Sequence, residues 1–446
     1  MMFGMFVRLV VALALGFGCA KCVIAATDEP LRRRADLGAS IAPPDADKPA
    51  TIVRFRPESV LEKAGFAAGD QIVSADGKAI DDPIAFGAFL RSLRASDTIE
   101  LTVRRGGDTL TRRLHAAPMR YEAIPGLDVV YGEATTDKGY RVRTYTTRPA
   151  GVRGRLPVVV FIPWLSCDAI EQPFGPRSDG WAKMLRAVML GTTVQFVRIE
   201  KPGVGDSNGP DCSATDLDDD MTAFRAGIRT ALADPGADPE RFILFGGSVG
   251  GALVPLLAQE FHPRAIIATG GFTRTWYEHM LALERERLTL SGRPPADVNA
   301  AMKAFADLYD LVLLQGLTPA AAIARKPELA RVWYDAPAHQ YGRPIRYYQQ
   351  LQALDVEAAW DRVRVPTLVL WGDYDWIMGR DESERCVAIL RARDPALVTY
   401  VVRRGMNHHF DVFPDPVAAF NEENGEYDEG AAQAIVDWIA ARLRAN

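Results

Sequence analysis

One serine in this chain stands in a setting that could activate it. Ser248 lies in Gly246-Gly247-Ser248-Val249-Gly250, with the apolar run "RFILF" before it and "ALVPLLAQEF" after it. A serine hydroxyl is a weak nucleophile until a base takes its proton, and the base needs an acid to orient it. Two later segments supply those residue types. "VPTLVLWGDYDWIM" ends an apolar stretch with Asp373 and Asp375, and "LVTYVVRRGMNHHF" ends another with His408 and His409. The chain holds six histidines, so an adjacent pair just after such a stretch stands out. The order is Ser, Asp, His, which suits attack on an acyl carbon.

Positioning these groups requires a scaffold, and its signature is visible. "LPVVVFIPW", "TTVQFVRIE", "RFILFGG", "AIIATGG", "PTLVLWG" and "LVTYVVRRG" read as apolar strands buried on both faces of a mostly parallel sheet. "YRVRTYTTRP" reads as an alternating strand. Helical segments lie between most of them, which predicts an α/β fold with helices on both faces. Ligands in such sheets gather at the carboxyl ends of the strands, where all three candidate groups fall. G-x-S-x-G is a weak pattern in a chain with 37 glycines, but here a strand precedes it and a helix follows. Residues 273–361 contain no such strand and are helical and aromatic, as an inserted cap would be.

The N-terminal third has a different rhythm. "TIVRFRP" and "DQIVSADGKAI" read as short strands, "SVLEKAG" as a helical turn and "DPIAFGAFLRSL" as an amphipathic helix whose apolar side holds Ile84, Phe86, Phe89, Leu90 and Leu93. "TIELTVRRGGDTLTRRLH" reads as a hairpin turning at Gly106-Gly107.

This part, with "ESVLEKAGFAAGDQIVSADGKAI" at its centre, resembles a PDZ domain of the bacterial type, spanning residues 31–118. The resemblance implies that Leu37-Gly38-Ala39 forms a loop receiving a peptide carboxylate, reinforced by one of Arg32, Arg33 and Arg34, so that a protein C-terminus becomes a candidate partner. Residues 121–446 resemble an α/β-hydrolase, with residues 273–361 as its helical cap. The resemblance implies Ser248 as nucleophile, Asp375 (three residues after Gly372) as the acid and His408 (in Gly405-x-x-His) as the base, with Asp373 and His409 as alternatives. It also implies an oxyanion hole from the backbone N–H of Val249 and of Leu165, or else Trp164, in the loop after "VVVFIPW". "KPGVGDSNGPDC" resembles a structural loop of that family, which makes Asp206 and Ser207 turn residues.

The function expected is hydrolysis of a carboxylic ester through an acyl-enzyme. The alternatives are a serine exopeptidase of the prolyl oligopeptidase type and a non-catalytic peptide-binding scaffold. No cofactor and no metal are expected, because zinc motifs, phosphate loops and dinucleotide fingerprints do not appear. The acidic run "DLDDDM" from Asp216 reads as a solvated helix start beside a positive dipole end.

Composition bounds the rest. With 446 residues, 48% hydrophobic and 24% charged, the chain is globular and long enough for more than one domain. A net charge of −5 and the absence of a basic block argue against nucleic acid as a partner. The partner expected is a small-molecule or peptide acyl substrate. Arg8, the apolar run from Leu9 to Phe17, and Ala25-Ala26 predict a signal peptide over residues 1–26, with an uncleaved anchor as its alternative, and hence a secreted or periplasmic protein. Cleavage removes Cys19 and Cys22. Of the three cysteines that remain, Cys167 and Cys212 follow predicted strands at the edge that carries Ser248, which predicts a bridge between them. Cys386, on a predicted helix, is left as a buried thiol.

Overall fold

The computed structural model describes residues 30–44, 48–175 and 179–444. The predicted signal peptide, residues 1–26, lies outside the described residues.

An eight-stranded sheet forms the centre. Its strands are β1 (Leu127–Thr135), β2 (Arg141–Pro149), β3 (Leu156–Ile162), β4 (Gln195–Ile199), β5 (Ala237–Gly247), β6 (Ala265–Thr269), β7 (Thr367–Gly372) and β8 (Val398–Arg403), in the spatial order β8-β7-β6-β5-β3-β4-β2-β1. The strands from β3 to β8 pair in parallel, and β2 runs antiparallel to both β4 and β1. Every residue of β3, β4, β5 beyond Phe242, β6 and β7 is buried. Val, Ile, Leu and Phe dominate them, as a two-sided interior requires.

Two strands depart from expectation. Along β2, Val142, Arg143, Thr144 and Tyr145 are all buried, because β2 lies between β1 and β4 rather than at a solvated edge. Strand β8 is the sheet's outer strand and is half-exposed, with Val402 47% accessible, so it is not buried on both faces.

One face of the sheet packs beneath the helices Leu217–Ala233 and Val249–Phe261, and the same apolar cluster continues without a break into the segment between β6 and β7 through Trp276, Met280, Phe305, Leu308 and Tyr348. That segment is helical: Trp276–Leu290, Pro295–Tyr309, Pro319–Arg325, Ile345–Gln352 and Val356–Asp361. The opposite face is covered by Gly180–Gly191 and Glu429–Arg444, through Trp181, Leu185, Val188, Ile435 and Ile439.

The helix Leu217–Ala233 starts in a reciprocal cap, with Asp216 accepting from the Asp219 amide at 3.1 Å and Asp219 from the Asp216 amide at 3.1 Å. The acidic run is only partly solvated, which corrects the expectation: Asp218 is exposed, whereas Asp219 and Asp220 are buried. Asp220 is fully buried and receives Arg343 at 2.6 Å, an ion pair 123 residues apart in sequence.

The N-terminal module has strands Ala39–Ala42, Thr51–Phe55, Gln71–Ala75, Thr98–Arg105 and Asp108–His115, with helices Val60–Lys63 and Pro83–Ser92. Ile52, Leu61, Ile72, Phe86, Ile99, Leu101 and Val103 form its own core. Of the apolar face expected around Pro83–Ser92, Phe86 and Leu93 are buried, and Ile84, Phe89 and Leu90 are half-buried.

Of the three arginines at the start of this module, Arg33 and Arg34 bind the sheet domain and Arg32 binds within the module, a second correction to the expected carboxylate contact. Arg33 is buried and donates to Asp206 at 2.9 and 3.0 Å and to Glu171. Arg34 reaches Glu171 at 3.1 Å, and Arg32 pairs with Asp97 at 2.7 Å. Arg143 of β2 also donates to Asp206, at 3.2 Å. Asp206 is thus a buried anionic hub as well as a turn residue, and Ser207 accepts the Arg143 amide at 2.9 Å. Burial opposes the Arg33 charge, but Glu171 and Asp206 outweigh it and raise its pKa. Arg91 of the module's helix adds a bidentate pair to Asp211, both bonds 2.8 Å.

Candidate active site

Strand β5 delivers Ser248 at a sharp turn. Ser248 has φ 56° and ψ −128°, a backbone conformation that a side chain normally avoids and that surrounding structure must enforce. The enforcement is visible. The Ser248 amide donates to the Thr269 carbonyl of β6 at 2.9 Å, and the Ser248 carbonyl accepts from Gly251 at 2.8 Å. The flanking glycines permit close passage: a Cβ on Gly246 would lie 2.3 Å from the Gly250 oxygen, and one on Gly250 2.1 Å from the Ile162 oxygen of β3. The helix Val249–Phe261 then begins at once, with its positive end at the serine.

His408 Nε2 lies 3.0 Å from Ser248 Oγ, and His408 Nδ1 lies 2.8 Å from Asp375 Oδ2. The other Asp375 oxygen accepts from the amides of Ile377 at 3.0 Å and Met378 at 2.8 Å, which fixes the carboxylate on the turn after β7. All three residues are buried. Asp375 as acceptor fixes the ring proton on Nδ1 and leaves Nε2 free to take the serine proton.

The alternatives have other partners. Asp373 accepts the Gly405 amide and so ties the turn after β7 to the turn after β8. His409 also lines the cavity, but its Nδ1 pairs with Glu422 at 2.6 Å.

Two residues that the sequence reading passed over hold the histidine. The side chain of Asn407 accepts from the amides of His409 at 2.9 Å and Asp411 at 3.1 Å, which shapes the loop. Trp181 sets its ring against that of His408 with centroids 5.9 Å apart. The position of Asn407 one residue before the histidine was the available signal. Trp181 lies on a helix far away in sequence and carried none.

Val249 is the first residue of its helix, so its N–H has no carbonyl one turn earlier to bond. Leu165 lines the same cavity, and its carbonyl is held by Arg343 Nε at 3.1 Å. Arg343 also contacts the Thr215 hydroxyl at 2.6 Å and the Cys212 carbonyl at 3.4 Å. Cys167 and Cys212 form a disulfide, 45 residues apart, that closes this rim, while Cys386 is a buried free thiol. Burial raises the Cys386 pKa, which keeps it protonated.

The cavity above Ser248 measures about 680 Å³. Trp164, Trp181, Trp276, Met280, Leu283 and Trp376 give it a mostly apolar, aromatic wall, with Arg287, Tyr334 and Tyr341 also contributing. No group of side chains able to hold a metal ion occurs among the described residues.

In the N-terminal module, Gly38 takes φ 74°, and a Cβ there would lie 2.4 Å from Ser59 Cα. Its amide, expected to meet a peptide carboxylate, already bonds Asp36 Oδ1 at 2.8 Å, and Arg56 pairs with the same carboxylate. Leu37 is buried, with its carbonyl accepting from Ser59 Oγ at 3.3 Å, and Ala39 pairs with Phe55. Beside them a cleft of about 470 Å³ runs between Ala39, Ile41, Leu90 and Arg91 of the module and Cys167, Asp168 and Gly205 of the sheet domain.

A family model described as alpha/beta hydrolase family matches residues 159–423, and one described as PDZ domain matches residues 35–115. No curated protein matches the chain significantly. Among solved structures, carboxyl esterase 2 from the mycorrhizal fungus Tuber melanosporum is similar at 15% identity and TM-score 0.43, over 73% of this chain and 90% of that one. Est1E from Butyrivibrio proteoclasticus with bound ferulic acid is similar at 15% identity and TM-score 0.45, over 70% of this chain and 99% of that one. The acylaminoacyl peptidase of Pyrococcus horikoshii is similar at 13% identity and TM-score 0.43, over 78% of this chain and 47% of that one.

Proposed function

The chain belongs to the alpha/beta hydrolase family, and on that premise we propose that it is a serine hydrolase that cleaves carboxylic esters. The observation that carries this reading is the continuous relay from Asp375 through His408 to Ser248, with contacts of 2.8 and 3.0 Å, at the floor of an apolar cavity.

The ester carbonyl sits over Ser248. His408 Nε2 removes the hydroxyl proton as Oγ attacks, and Asp375 stabilises the imidazolium that results. The tetrahedral oxygen receives the Val249 amide at the helix start, and the second donor is the Leu165 amide. His408 then gives its proton to the departing alkoxide, leaving Ser248 acylated. Water enters, loses a proton to His408, attacks the acyl carbon and releases the acid. No residue in this sequence of steps changes its net protonation over a full cycle.

The disulfide supports a working place outside the cytoplasm, because such bonds persist in oxidising compartments. We propose export by the N-terminal segment as a secreted or periplasmic enzyme. We also propose that the PDZ-like module takes an extended peptide at the open edge of Ala39–Ala42. Because Asp36 already occupies the Gly38 amide, that peptide is held chiefly by strand pairing.

Labelling the purified enzyme with a fluorophosphonate, then assaying p-nitrophenyl esters and aminoacyl amides, tests the central reading. The expected result is labelling at Ser248 and turnover of esters. Preferential turnover of the amides would favour the peptidase alternative, and absence of labelling would reject the serine mechanism.

A further inference from the structure

Strand β4 ends at Ile199, and the next two residues carry opposite charges into the interior. Glu200 and Lys201 are each 2% accessible, and the relay uses neither. Burying a charge is costly, so each group needs a compensating contact. Lys201 Nζ donates to the Ser166 carbonyl at 2.5 Å, and Glu200 Oε1 accepts from the Ile170 amide at 2.7 Å. Two neighbouring side chains thus hold both ends of residues 166–170, in the loop that follows β3 and lines the cavity with Leu165 and Ser166. Among the described residues, no carboxylate forms a direct ion pair with the Lys201 ammonium; its hydrogen bond goes to the loop.

Arg343 does the same one residue earlier. It is fully buried and donates from Nε to the Leu165 carbonyl at 3.1 Å. Two buried cations, one from the floor and one from the cap, therefore hold consecutive carbonyls. Neither cation lines the cavity, so both carbonyls are drawn behind its wall. In a trans peptide unit the C=O and N–H point in opposite directions. Holding the Leu165 and Ser166 carbonyls back turns the N–H ends of those units away from the cations and fixes the backbone that leads on from the Leu165 amide. A carbonyl rotated to the cavity side would repel the oxyanion that forms over Ser248. Burial lowers the Lys201 pKa to about 8, and Arg343 lowers it too, against Asp220, Glu200 and Asp168; the ammonium form persists at neutral pH.

We propose that Lys201, acting with Arg343, is a positioning residue for ester hydrolysis: its ammonium holds the Ser166 carbonyl behind the cavity wall, so that the loop presents amides and not a carbonyl to the tetrahedral intermediate. Lys201 touches no substrate and works only through the backbone it grips. The contact matters most when negative charge develops on the substrate oxygen, so it favours the transition state over the bound ester. This inference deepens the hydrolase reading and rests on it.

Lys201→Met tests this on the full-length enzyme, because it keeps an unbranched side chain and removes the charge and its N–H donors. With the best p-nitrophenyl ester, kcat should fall by about 10- to 100-fold while KM changes far less. Phenylboronic acid, which forms a tetrahedral adduct on Ser248, should lose affinity by a similar factor. The ether analogue of the same ester has no carbonyl and should bind as it does to wild type. If Lys201→Met does not fold, Lys201→Gln, which also removes the charge, carries the same comparison. The inference is overturned if the folded variant keeps kcat within about twofold of wild type, or if boronate and ether lose affinity equally, as a general collapse of the cavity would cause. Fluorophosphonate labelling of wild type separates the two levels: labelling at Ser248 with an unaffected variant rejects this inference alone, and no labelling rejects the hydrolase reading beneath it.

Discussion

Arg33 and Asp206, 173 residues apart in sequence, meet through two hydrogen bonds of 2.9 and 3.0 Å in the buried seam between the PDZ-like module and the hydrolase sheet. Glu171 completes the cluster from a third segment. Removing Arg33 leaves carboxylates buried with less compensation, which is the costly way to break such a group. Arg33→Ala should therefore destabilise the whole chain by about 3 kcal/mol. Urea unfolding measures this, and a change below about 0.5 kcal/mol, the level of an exposed pair, would contradict it.

The relay assigns unequal weight to neighbouring residues. Ser248→Ala and His408→Ala should each lower kcat by about 10⁴-fold or more, with the folded state retained. His409→Ala and Asp373→Asn should cost far less than His408→Ala and Asp375→Asn. Steady-state kinetics on the best ester decides, and equal losses within either pair would remove the assignment.

The Glu382 carboxyl gives a pH signature in stability. Burial raises its pKa, but His279 and the amides of Thr273 (2.8 Å) and Arg274 (3.1 Å) outweigh it. Its folded pKa of about 2 lies below the ordinary glutamate value of 4.5, so the folded state favours the ionised form. The resulting stabilisation, about 3 kcal/mol, is fully present above pH 4.5 and is lost as the pH falls towards 2. Glu382→Gln should be less stable than wild type at neutral pH, with the gap narrowing on acidification. A gap independent of pH between 7 and 3 would refute this.

The Cys167–Cys212 bridge closes a loop of 45 residues. On the chain-entropy account it contributes about 3–4 kcal/mol, and Cys212→Ser should lower stability by that order. Because the bridge lies two residues from Leu165, the same change should depress kcat more than it raises KM. Thermal melts and kinetics at 25 °C separate the two effects, and mass spectrometry of unreduced peptides identifies the bond.

How much of this was readable beforehand depends on how local the cause is. Ser248, Asp375 and His408 announce themselves because each follows the end of a sheet strand and glycine spacing near it is dictated by backbone clearance. The module's hairpin at Gly106 was equally plain. The partners of Arg33 and Asp220 were hidden, because an arginine or aspartate looks the same in sequence whether solvated or buried, and the groups that neutralise them lie more than a hundred residues away. His279 was invisible for another reason: the cap adds no strand to the central sheet, so its side chains cannot be indexed against that sheet's ends.

Arg343 has a consequence for anyone wishing to simplify this enzyme. It rises from the cap, yet it grips the Leu165 carbonyl, the Cys212 carbonyl and the Asp220 carboxylate, all of which belong to the floor. A version trimmed of residues 273–361 would not be an open-topped catalyst with freer access. It would strand an aspartate inside the protein and release the Leu165 loop that lines the cavity. The roof of this site is part of its foundation, so its specificity is better altered by exchanging single side chains within the cap than by transplanting the cap whole.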